Sequence, residues 1–177
     1  MATGRIELGP TGKMVAANIK RLREAQGLSL RALAKRVEES GRKISADALN
    51  KIENGRLVDE PDYQEKPPNI RRVDADDLVV LSVALGVNPS ALLLPDTTDG
   101  SAHLTGGGSV DAETAWDWAD GKRPLRVPEG DDGTALLDFT RWSRPRGRRR
   151  RYNLMTPAGR QAALEDPHRE HDRSGDG

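Results

Sequence analysis

The chain has 177 residues, 28 of them basic and 28 acidic, with 35% hydrophobic and 3% aromatic content, 18 Gly, 11 Pro and no Cys. So little apolar material cannot give the whole length a packed core, so one small domain plus a tail is expected. The lack of cysteine excludes a disulfide framework, thiolate catalysis and Cys-ligated zinc. The net charge of zero is a sum over blocks of opposite sign. Residues 1–56 carry 12 basic and 6 acidic groups, 57–95 carry 3 and 7, 96–140 carry 3 and 10, 141–160 carry 8 and 0, and 161–177 carry 2 and 5.

Met1 to Pro10 has no basic flank followed by an apolar core, and the longest apolar run, Leu78 to Val87, includes Ser82 and Gly86 and is far short of a membrane span. A cytoplasmic protein without membrane partner is expected. Helical apolar spacing fills Met14 to Leu94 and nearly vanishes afterwards. This gives four segments: an N-terminal arm over 1–12, a helical domain over 13–95, an acidic Gly/Pro-rich linker over 96–140, and an Arg-rich segment with a disordered tail over 141–177.

Five short helices are predicted in the domain. The first runs from about Lys13 to Gln26, with Val15, Ile19, Leu22 and Ala25 on one face and Gly27 as its stop. Ser29 caps the second, whose stripe is Leu30, Leu33, Ala34 and Val37. Ser45 caps the third, which presents Ala48, Leu49 and Ile52 inward and ends at Asn54-Gly55. Asp74 caps the fourth, with Leu78, Leu81, Val83 and Leu85 buried and Gly86 as its stop. Asn88-Pro89 opens the fifth, and Ala91 to Leu94 close the core.

The ordered residues Asn18-Ile19, Leu22-Arg23, Gly27-Leu28-Ser29, Leu33-Ala34, Ile44-Ser45, Leu49, Lys51-Ile52-Glu53-Asn54-Gly55-Arg56, Leu85-Gly86-Val87 and Leu92-Leu93 resemble the Cro and phage-repressor (XRE) family of helix-turn-helix DNA-binding domains. The resemblance implies an all-α, five-helix, lambda-repressor-like domain, and composition adds a largely disordered C-terminal tail after it. It also implies that the third helix lies in the major groove of double-stranded DNA, with Ala46, Asp47, Asn50 and Lys51 facing the bases. An amide such as Asn50 can bond adenine bidentately, and the Lys51 ammonium can donate to guanine O6 and N7. Asp47 either accepts from a cytosine amino group or stabilises the positive helix end. Phosphate contacts are assigned to Ser29, Arg31, Asn54 and Arg56, joined by Arg42 and Lys43 from the turn between the second and third helices. The family usually has glutamine where Leu30 stands, and Arg31 is the neighbour able to replace that contact. Arg23 and Glu53 match a pair the family uses to join the first helix to the third, so a structural ion pair is expected there.

Near the C-terminus, seven arginines fall within Arg141 to Arg151. Arg144, Arg146, Arg148 and Arg149 form a candidate accessory DNA arm: a minor-groove hook, a nonspecific polyelectrolyte, or a basic run paired with the acidic linker. The Trp116 to Trp118 pair is read either as a partner-binding motif or as an amphipathic turn docked on the same chain. No nucleophile with its base, metal cluster or phosphate loop stands out, so neither an enzyme nor a cofactor is expected; His168 and His171 lie in a tail with nothing to orient ligands. The expected function is a bacterial transcriptional regulator, a repressor that occupies an operator. The alternative is an antitoxin or protein-interaction module of the same fold, using the acidic 57–72 loop or the tail. A homodimer on inverted half-sites is the family's common assembly.

Overall fold

Four of the five helix starts in the domain are set by side chains that take up first-turn N–H groups. Ser29 Oγ accepts from the Ala32 N–H at 3.1 Å, Ser45 Oγ from Ala48 at 3.1 Å, and Asp74 Oδ1 from Asp77 at 2.7 Å. In the computed structural model, which describes residues 8–55 and 70–148, these caps open helices α2 (Leu30–Glu39), α3 (Ala46–Glu53) and α4 (Ala75–Leu85). α1 spans Pro10–Ala25, starting earlier than its apolar spacing suggested because Pro10 fits the first helical turn. The short α5 spans Ser90–Leu93, and the Asn88 side chain accepts from the Ala91 N–H. Gly27 and Gly86 both have positive φ, +63° and +69°, which lets the chain leave α1 and α4 sharply.

The chain divides into two units, Met1–Ala112 and Glu113–Gly177. In the first, Ile19, Leu33, Val37, Leu49, Leu81 and Leu92 are fully buried, so every one of the five helices supplies at least one central side chain. Two expected core positions are corrected. Val83 is 63% exposed, since Val80, Leu81, Ala84 and Leu85 already form the inner face of α4. Ala25 is exposed at the end of α1, where the helix runs past the core.

Asn18 is buried among apolar neighbours, and its amide has a specific task. Nδ2 donates to the Leu92 carbonyl at 3.1 Å and the Leu94 carbonyl at 2.7 Å, while Oδ1 accepts from Arg21 Nε at 3.2 Å. Carbonyls at a helix C-terminus have no partner inside their own helix, so Asn18 satisfies the end of α5 from α1. Replacing Asn18 with alanine leaves both carbonyls without this donor and is expected to destabilise the protein by about 1–3 kcal/mol. A urea midpoint equal to the native one would exclude that role.

The sequence offered no element between 96 and 140, and in the structure four begin there. Strands β1 (Ser101–Leu104) and β2 (Gly108–Asp111) pair antiparallel, Ser101 opposite Asp111 and Leu104 opposite Gly108. Ala102 and Leu104 point inward and the strand lies on α1. Thr11 and Thr105 exchange hydrogen bonds: the Thr105 N–H donates to Thr11 Oγ1 at 2.9 Å and the Thr11 N–H to Thr105 Oγ1 at 3.3 Å. Gly9 lies so close that an added Cβ would come within 2.6 Å of Thr105 Oγ1. The fold is therefore mostly helical with one hairpin added to the five-helix domain.

α6 (Ala112–Ala119) follows the hairpin directly. In the second unit, Asp117 and Asp120 both approach Lys122 Nζ at 3.1 Å, which closes the turn after α6. Ala115 is buried, Trp116 partly so, and Trp118 is 41% exposed, so only part of the tryptophan pair is docked on its own chain. α7 (Thr134–Ser143) starts behind an Asx-type turn in which Asp131 and Asp132 accept from the N–H groups of Gly133, Thr134 and Ala135. Among the described residues no helix is long and apolar enough to cross a membrane.

Candidate nucleic-acid interface

The α3 sequence Ala-Asp-Ala-Leu-Asn-Lys-Ile-Glu divides its residues cleanly. Leu49 and Ile52 are buried, whereas Asp47, Asn50 and Asn54 are exposed, with Ala46 and Lys51 intermediate. The i, i+4 spacing of 46 to 50, 47 to 51 and 50 to 54 sets these polar groups on one outward face.

That face is internally connected. Lys51 Nζ lies 2.7 Å from Asp47 Oδ2, one turn apart. Exposed pairs of this kind are worth only about 0–1 kcal/mol, so Lys51 can exchange Asp47 for a stronger acceptor at little cost. Asn54 Nδ2 donates to Asn50 Oδ1 at 3.0 Å, and Asn54 Oδ1 accepts from Lys20 Nζ at 3.1 Å. The ammonium can only donate, which fixes the direction of the chain and leaves the Asn50 NH₂ turned away from Asn54. Lys20, on α1, was not among the residues expected from the sequence; nothing local marks it, since it lies 34 residues before Asn54.

Behind this face, Arg23 holds α3 to α1. Arg23 Nε donates to Glu53 Oε1 at 2.8 Å and Nη2 to Oε2 at 2.7 Å, while Nη1 reaches the Leu28 carbonyl at 2.9 Å. The Glu53 side chain has 0% exposure and Arg23 12%, so the forked pair is shut away from water. The hydrogen bond to Glu53 is the main cause that raises the Arg23 guanidinium above its ordinary pKa.

The turn between α2 and α3 is anchored by Ile44, 2% exposed, and by Arg42. Arg42 was expected on the phosphate side, but its guanidinium is directed at the start of α4. It meets Asp77 Oδ1 at 2.7 Å, Asp74 Oδ2 at 2.7 Å and Asp76 Oδ2 at 3.1 Å. Asp77, 1% exposed, also receives Arg71 Nη2 at 2.8 Å. A carboxylate buried at the positive end of a helix needs such partners, and Arg42 supplies them from the turn. The Asp77 N–H bond is the leading cause that holds the Asp74 carboxyl below its usual value.

Of the other expected phosphate contacts, Ser29 and Arg31 are exposed at the start of α2, and Lys43 is 83% exposed on the turn, 3.9 Å from Glu38. Leu30 is partly buried against the core, so it takes a packing position and leaves Arg31 to face solvent. Arg56 and the acidic 57–72 loop up to residue 69 lie outside the described residues, as do Arg149, His168 and His171. In the basic segment, Arg144 Nη2 donates to the Asp120 carbonyl. Arg146–Arg148 form one 3-10 turn with both arginines exposed.

Two consecutive helices, the first laid behind and the second presenting a polar face, with a third element clamping them, define a helix-turn-helix domain. Residues 15–93 match the family model described as a helix-turn-helix domain, a span that takes in α1 to α5 apart from the first turns of α1. Comparisons with curated proteins and with solved structures return no match.

Proposed function

We propose that the protein is a sequence-specific DNA-binding transcriptional regulator of the Cro and phage-repressor type, acting as a repressor by covering its operator. The observation that carries this reading is the outward face of α3, where Asp47, Asn50, Lys51 and Asn54 stand together on a helix clamped from behind by Arg23 and Glu53. A helix fits the major groove, and amide and ammonium groups match adenine and guanine edges there. Ser29, Arg31 and Lys43 are the phosphate contacts that remain open to solvent; Arg42 passes from the contact set to the support of the turn.

Selection of bound sequences from a random duplex pool with the full chain tests this. A single enriched motif is the expected result, and an inverted repeat with half-sites about one helical turn apart would identify a homodimer as the bound form. Recovery of the input pool without enrichment would refute sequence-specific recognition.

A further inference from the structure

α7 carries one of the most exposed large side chains among the described residues. Leu136 faces inward at 3% exposure, yet Trp142 stands 72% exposed. A lone exposed apolar side chain is common on protein surfaces, so what matters is the surroundings of this indole. The Arg141 guanidinium lies over the Trp142 ring, 4.8 Å from its centroid, which covers one face of the indole and, among the described residues, leaves the other open. Past Ser143 the chain makes its 3-10 turn, closed by the Arg148 N–H donating to the Pro145 carbonyl at 2.8 Å, and this holds Arg146 and Arg148 out in solvent. Asp138 is the one acid on α7, and no further Asp or Glu follows until Glu165.

We propose that Arg141, Trp142, Arg146 and Arg148 form a nucleic-acid contact separate from α3, which stacks an unpaired base on the open face of Trp142 and takes flanking phosphates on Arg146 and Arg148. The charge selects a polyanion, and the indole selects one with flat apolar rings. An unpaired strand offers such rings with free faces, whereas a duplex must first be unstacked. The site goes beyond the operator-binding reading and does not depend on it.

The test uses the full chain and a thymidine oligonucleotide of about 20 nucleotides, long enough for a site of this kind. Binding quenches tryptophan fluorescence, W142A weakens it about tenfold, W142F restores most of it, and N50A/K51A leaves it unchanged. Equal affinity for W142A and the native chain, equally good competition by poly-glutamate or by a mixed-sequence duplex, or loss of binding in N50A/K51A would each overturn the proposal. The last of these would assign the strand to α3 and leave the operator reading standing. Since Trp142 is largely solvated, circular dichroism of W142A should match the native chain.

Discussion

Replacing Glu53 with alanine is expected to lower the stability of the first unit by about 3–5 kcal/mol and to remove operator binding with it. The loss follows from what remains behind. Arg23 is 12% exposed and keeps its charge at any working pH, so without Glu53 it holds a buried guanidinium whose one remaining contact inside the fold is the Leu28 carbonyl. Glu24, its other neighbour at 3.2 Å, is 55% exposed and too well solvated to replace the forked pair. Because the same pair ties α3 to α1, loss of the carboxylate also frees the helix that carries Asn50 and Lys51. Thermal melting and binding to a selected site, measured on one preparation, check both halves. A native melting temperature with binding lost would mean that Glu53 acts on DNA and not on the fold.

Alanine at Asn50 or Lys51 should give the opposite separation. Both side chains project from the outward face of α3, and the structure places no core contact on them beyond the Asn54 and Asp47 bonds. Each substitution is expected to cost about 1–3 kcal/mol in discrimination at one base position, roughly five- to 150-fold, while the melting temperature stays near native. A repeated selection with each variant reads this directly, since the enriched motif should relax at one position and hold at the rest. A motif unchanged in both variants would remove these two residues from base reading.

Much of the helical domain could be read from the residues because its information is local. A serine or aspartate cap, its first-turn partner and a glycine stop lie within one segment, and α2, α3 and α4 all use that grammar. Val83 was misplaced because Leu78 to Val87 is apolar nearly throughout, so periodicity cannot separate its inner face from its outer one. The hairpin escaped because four-residue strands around Thr105-Gly106-Gly107 look the same as a glycine-rich linker, and only Ala102 and Leu104 alternate inward. The site was legible to the same degree. The polar face of α3 follows from helix geometry, but Arg42 is bound to acids 32 to 35 residues away and Lys20 to an amide 34 residues away. Pairings at that distance arise from the fold as a whole.

The two threonines that join α1 to the hairpin set a time at which this domain can be finished. Thr11 and Thr105 are 94 residues apart, and Asn18 reaches carbonyls 74 and 76 residues further on. Synthesis at about 5–20 residues per second separates Thr11 from Thr105 by roughly 5–20 s. Until then α1 has its ties to Glu53 and to the end of α5 within reach but lacks the hairpin bonded to its first turn. High sequence separation of native contacts slows folding, and here it delays the last supports of the helix against which α3 is clamped. A nascent chain can therefore clamp α3 once Glu53 has been made, and α1 gains its full set of tertiary bonds only when Thr105 follows.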